Sequence, residues 1–138
     1  MNLKFINASS LFLISSLLLS CQAIKPDSEV TRLDGQQWKL VSINHRPVNN
    51  NGNAYLEFST KLEVQGKAFC NSIKGEYELM GKDQLTFSEI VSTKMYCEGV
   101  MNLENEMITN LQNVKRYSIK NGMLYLHSTD GLLLAFKK

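Results

Sequence analysis

Apolar and polar residues alternate with a period of two through most of this chain, and one stretch switches to the helical period. That pattern restricts the fold to an antiparallel sheet served by a single helix. From Gln37 to Ile43 the alternation puts Trp38 and Leu40 on one face, and from Tyr55 to Ser59 it sets Leu56 and Phe58 against Tyr55 and Glu57. Both read as half-buried strands. Pro47 and the run Asn49-Asn50-Asn51-Gly52 mark a loop between them, because Asn and Gly accept positive φ cheaply. Lys61 to Gln65 alternates again, and Lys74 to Leu79 turns Gly75, Tyr77 and Leu79 to one side and Lys74, Glu76 and Glu78 to water. Gly81-Lys82-Asp83 leads into a short strand around Leu85 and Phe87. From Asn102 to Asn113 the period changes: Leu103, Met107, Ile108 and Leu111 recur at three and four residues, with Glu104 and Glu106 in the first turn, where the helix dipole favours anions. Strands at Lys115 to Ile119, Met123 to His127 and Leu132 to Lys137 follow, punctuated by the hairpin dipeptides Asn121-Gly122 and Asp130-Gly131. The expected class is α+β: a strongly curved antiparallel sheet or open barrel of about eight strands packed around one helix.

The opening segment obeys neither period. Lys4 precedes an apolar stretch, Leu11 to Leu19, that is too short to span a bilayer. It ends in Leu17-Leu18-Leu19-Ser20-Cys21, which resembles the lipobox of a bacterial lipoprotein signal peptide. The resemblance implies cleavage before Cys21 and a diacylglycerol on its sulfur, so that two or more acyl chains hold the protein to a membrane durably. Gln22 stands where an Asp would retain such a protein at the inner membrane, which implies the outer membrane, facing the periplasm. The expected layout is a signal peptide at 1–20, a polar tether at 21–32 and one folded domain at 33–138. With 15 basic and 13 acidic side chains and no basic block, the composition argues against a nucleic-acid partner.

Two stretches carry a second resemblance. Gly66-Lys67-Ala68-Phe69-Cys70-Asn71-Ser72-Ile73-Lys74-Gly75-Glu76-Tyr77 is similar to the G-x-x-x-C-N-x-x-x-G-x-Y pattern of the META domain, the family that includes the heat-shock-associated HslJ-like lipoproteins. Thr93-Lys94-Met95-Tyr96-Cys97 is similar to its T-x-M-x-C, with Glu104 and Leu111 at the spacing of its helix motif. Leu33-Asp34-Gly35 before Trp38-Lys39-Leu40 matches its opening. The chain departs from the pattern at Phe69, where the family often has Gly. The resemblance implies a curved antiparallel sheet on one helix and no known catalytic residues.

With Cys21 assigned to lipid, Cys70 and Cys97 remain as an even pair in an oxidising compartment. A bridge between them would add about 3 to 4 kcal/mol by the loop-entropy model. The alternative is a reactive thiol pair, which needs an electropositive, exposed site or Cys-x-x-Cys spacing. His45 and His127 have no ligand-spaced partners and read as surface histidines, so no metal site is expected. Asn71 reads as a residue that bonds turn backbone, Glu104 as an acid that answers the helix dipole, and Trp38, Tyr77, Met95, Met107 and Phe136 as core. No nucleophile motif or phosphate-cradling glycine loop is present, and no cofactor is implied.

Three functional readings follow from these residues. The first is a non-enzymatic, lipid-anchored envelope protein with a binding or support role in stress tolerance, whose partners are the membrane and an envelope protein or hydrophobic ligand. The second rests on likeness of fold to secretion pilotins: a carrier of an acyl chain or hydrophobic segment. The third is a thiol-disulfide oxidoreductase using Cys70 and Cys97. The oligomeric state stays open.

Overall fold

A computed structural model describes residues 32–138; the expected signal peptide, Cys21 and all of the tether but Arg32 lie outside the described residues. The elements run β1 (Gln37–Ile43), β2 (Arg46–Pro47), β3 (Ala54–Phe58), β4 (Glu63–Ala68), β5 (Asn71–Met80), β6 (Gln84–Ser92), α1 (Met101–Gln112), β7 (Arg116–Lys120), β8 (Met123–His127) and β9 (Leu132–Lys137). All strand pairs are antiparallel, the order is β2-β1-β3-β4-β5-β6-β7-β8-β9, and β1 also pairs with β9. The sheet therefore closes into a ring. Its thin seam is between β6 and β7, which pair at Gln84 and Arg116 alone.

Inside the ring the alternation delivers Trp38, Leu56, Leu85, Leu124, Leu126, Leu134 and Phe136, all fully buried, and α1 adds Met107 and Leu111. The Trp38 indole N–H donates to the Leu33 carbonyl at 2.8 Å, so the largest core side chain buries no unpaired polar group. A helix of twelve residues is marginal in isolation, so α1 depends on this packing.

Strand β4 starts at Glu63 rather than Lys61, so that Leu62, expected on the face of Val64, is 47% exposed at φ 64°, and the strands differ from expectation at three further places. A two-residue strand, β2, returns on β1 through a turn in which Asn44 and His45 both adopt positive φ, 47° and 64°, the geometry of a type I′ hairpin. Strand β6 runs nine residues rather than forming a short strand around Leu85 and Phe87. Leu79, expected on the core side of β5, is 44% exposed, because the β5–β6 hairpin extends past the end of the core.

Two glycines fix the curvature. A Cβ on Gly66 would be driven into the Tyr55 carbonyl oxygen of β3, so β4 can press this closely against its neighbour only with glycine there. At Gly75 a Cβ would lie 2.5 Å from the Ile90 Cδ1 methyl. There β6 shifts register opposite Lys74 and Glu76, with Glu89 at φ 52°, and the bulge lays Ile90 over the glycine. Gly131 has open space and no positive φ. Gly66→Ala is expected to cost about 3 kcal/mol, a fall in Tm of roughly 10–20 °C, while Gly131→Ala stays near wild type. Thermal unfolding followed by circular dichroism measures both, and equal melting temperatures for the two variants would contradict the packing argument.

Candidate functional site

Strand β4 ends at Ala68 and β5 begins at Asn71, so Phe69 and Cys70 alone make the turn. The Cys70 N–H donates to the Ala68 carbonyl at 2.8 Å, which forces Phe69 to φ 62°. A non-glycine residue pays roughly 1–2 kcal/mol for this left-handed conformation. Phe69 offsets that by burial to 6% exposure, where a large side chain contributes about 1.5–3 kcal/mol. Phe69, where the pattern often has Gly, thus adopts the left-handed conformation and adds a ring to the core.

The two amides that emerge from this turn meet a carboxylate. Glu104, in the first turn of α1 and 3% exposed, accepts at Oε2 from the Cys70 N–H (3.0 Å) and the Asn71 N–H (2.7 Å), and at Oε1 from Asn71 Nδ2. Asn71 spends the rest of its side chain on the segment that leads from β6 to the helix. Its Oδ1 accepts from the Thr93 hydroxyl and the Met95 N–H, each at 2.7 Å, and Nδ2 donates to the Met95 carbonyl at 2.9 Å. Two donors and two acceptor positions are all an amide side chain has, and all four are used. Thr93 Oγ1 in turn accepts from the Ser72 N–H. A disulfide joins Cys70 to Cys97 across the same joint, with Cα atoms 5.8 Å apart.

Six of the motif residues, Cys70, Asn71, Thr93, Met95, Cys97 and Glu104, therefore converge on one clasp that ties the β4–β5 turn, the 93–97 segment and α1 together. Gly66 and Gly75 shape the sheet beside it. Tyr77 sits farther along β5: its hydroxyl donates to the Ser59 carbonyl at 2.7 Å and its ring meets Phe58 edge-on at 5.1 Å. Burial, with the Asp34 carboxylate and the Tyr117 phenol adding to it, pushes the Tyr77 hydroxyl above its ordinary pKa and keeps it a donor.

Two expectations need correction. Met95 is not core; its backbone is held by Asn71 while its side chain is 57% exposed. Glu104 is more than a dipole-answering acid, since its carboxylate is buried and triply bonded. The sequence held a signal for this: Glu104, Met107, Ile108 and Leu111 share one face at i, i+3, i+4 and i+7, and a carboxylate on an apolar face must have buried partners. Asn71 bonds backbone as expected, but that of Met95 across the joint rather than that of its own turn.

Elsewhere the outer face of β1 and β3 to β6 bears a groove of about 710 Å³. Along it Gln37 and Gln65 donate to the two oxygens of Glu57 at 2.9 and 3.1 Å, with Glu63, Glu76, Glu89 and Lys74 alongside. Phe58, Val64 and Val91 line it as well, so the groove is mixed, with acidic groups and apolar surface side by side. His45 lies in the β1–β2 turn, and His127 closes β8 with Nε2 3.4 Å from the Ser118 hydroxyl. Among the described residues no group of three or more His, Cys, Asp or Glu is placed to hold a metal ion.

The clasp is testable by substitution. Glu104→Gln puts an amide donor against the Asn71 donors, and Asn71→Ala strands the Met95 backbone and the carboxylate; each is expected to cost about 3 kcal/mol. The double variant should cost far less than the two together, because one network is lost either way. Urea unfolding decides it: additive losses, or single losses under about 1 kcal/mol, would show that the clasp carries little.

A second expectation concerns pH. Burial, then Arg116, Lys120 and His45, hold the His127 pKa below its ordinary value. The unfolded chain thus binds this proton more readily, and stability is lost as pH falls through the unfolded value of about 6.5. The fall in Tm between about pH 7.5 and 5.5 is expected to be smaller in His127→Gln than in wild type.

Comparison with known proteins gives the following. The META domain family model matches residues 31–138. Among solved structures, an NMR structure of a protein aligns with a TM-score of 0.62 at 25% identity, covering 76% of this chain and 90% of that one. An NMR structure of a protein from Burkholderia xenovorans aligns at 0.62 and 22% identity, covering 82% of this chain and 95% of that one. A crystal structure of a DUF4847 family protein from Bacteroides vulgatus aligns at 0.59 and 17% identity, covering 76% and 93%. No curated protein matches the chain.

Proposed function

Because this chain belongs to the META domain family over residues 31–138, we propose that it serves as a non-enzymatic, lipid-anchored envelope protein. In this reading Cys21 carries the lipid, the protein faces the periplasm from the outer membrane, and its rigid domain binds or supports an envelope component under stress. The observation that carries the proposal is where the motif residues spend their bonding capacity. Asn71 and Glu104 saturate one another and the neighbouring backbone, which builds a stiff scaffold and leaves these polar groups committed to structure.

The geometry suits a tethered domain. The chain arrives at Asp34, bridged to Phe58 at the Ser59 end of the β3–β4 hairpin. The clasp lies at the other end of β4, roughly 20 Å away by strand rise. The clasp end is thus the one farther from where the chain enters the domain at Asp34. The pilotin-like reading needs an open apolar groove. The space between sheet and helix is filled by Trp38, Leu56, Met107, Leu111 and Phe136, which weighs against it.

A deletion strain tests the proposal. It is expected to lose tolerance to heat or to envelope-directed antibiotics, with recovery on expression of wild type but not of Cys21→Ser. Indifference to every such stress, or full recovery with Cys21→Ser, would contradict it.

A further inference from the structure

The Cys70–Cys97 bridge spans a joint that is already fastened without it. Asn71 holds the Thr93–Met95 segment through its amide, Ser72 and Thr93 exchange bonds beside it, and Glu104 grips the turn from the helix. The two sulfurs differ in surroundings. Cys70 is 4% exposed in the turn, whereas Cys97 is partly exposed in the irregular stretch before α1. Apart from the bridge, Cys97 is held among the described residues by one weak bond, from its N–H to the Met101 thioether at 3.4 Å.

We propose that this bridge is a reversible thiol-exchange site, addressed at Cys97 by an external dithiol. A thiolate of the dithiol attacks Cys97 Sγ; the Cys70–Cys97 bond breaks and a mixed disulfide forms at Cys97. Cys70 leaves as a thiolate and takes a proton from solvent. Its Sγ lies 3.7 Å from the Met95 carbonyl oxygen, so the new thiol has an acceptor in place. The second thiol of the reagent then attacks its own sulfur in the mixed disulfide and releases Cys97. The protein gains two electrons and two protons, and the dithiol becomes a disulfide.

Reduction is local because the hydrogen-bonded clasp persists. Met95 stays pinned by Asn71 and Met101 stays in the helix, while residues 96–100, with Gly99 at φ 82°, lose their covalent tie. The segment released carries Tyr96, which is 80% exposed. The redox state of one bond thus sets how rigidly an exposed aromatic is presented at the clasp end of the domain.

The test uses the full chain. Brief treatment with glutathione, which forms the same mixed disulfide, is quenched in acid and the adduct is mapped by peptide mass spectrometry. Glutathione on Cys97 is expected; an adduct on Cys70, or no reaction short of denaturation, would overturn the proposal. In parallel, with Cys21 replaced by Ser in both, the Cys97 thiol of Cys70→Ser should react with a chromogenic aromatic disulfide about tenfold or more faster than the Cys70 thiol of Cys97→Ser. Equal or reversed rates would contradict the asymmetry. The fully reduced wild type should retain its far-UV circular dichroism and unfold cooperatively, and collapse on reduction would overturn the local character of the switch.

Discussion

A buried carboxylate with no cation beside it is the constraint on which this fold rests. Ion pairs among the described residues join Arg32 to Asp34 and Arg46 to Glu106; Glu104 has none. Removing an ion from water costs several kcal/mol even after relaxation, so Glu104 can be buried only if fixed dipoles replace the solvent. Two backbone amides from the β4–β5 turn and the Asn71 amide do this, helped by the positive end of the helix that carries the carboxylate. No one of the three parts can leave without stranding a charge. The turn, the Thr93–Met95 stretch that Asn71 holds and the helix therefore hold or fail as a unit.

That unit lies where the sheet needs it. Hairpin connections build most of the ring, but the polypeptide leaves β6, forms α1 and rejoins as β7, and the β6–β7 ladder is one pair long. The helix takes over the structural role of the missing ladder. Glu104 anchors its first turn to the β4–β5 turn. Glu106 accepts from Asn44 and Arg46, and Asn110 donates to Asn44 at 3.1 Å, which secures its outer side to the β1–β2 turn. Met107 and Leu111 close the core between these attachments. The disulfide adds a covalent strand to the first of them, and loop-entropy and hydrogen bonding then stabilise the same joint by independent means.

Periodicity was a sound guide where side chains simply alternate between core and water. It placed α1 within a residue of its observed bounds and identified most of the strands, because burial on one face leaves register little freedom. It failed where backbone and side chain depart from that rule. Leu79 alternates correctly yet lies beyond the core, since the pattern does not say where a hairpin outruns the layer behind it. The β2 strand has only two residues and rests on a turn in which a histidine adopts positive φ, for which the sequence has no glycine signal. Cys70 and Cys97 could be paired only after Cys21 was set aside. The inward direction of Glu104 was visible as a carboxylate on an apolar stripe, but its partners come from residues more than thirty positions away.

A domain organised this way is fastened at the end away from Asp34, where the described chain enters it, and this suits the support or docking role proposed above. The most direct measurement of the central claim is native-state hydrogen exchange at the Cys70 and Asn71 amides. If the Glu104 carboxylate holds the joint, both exchange only through global unfolding, and both shift to fast local opening in Glu104→Ala while core strand amides stay slow. Rapid exchange of these two amides in the wild-type protein would show that the carboxylate does not hold the turn.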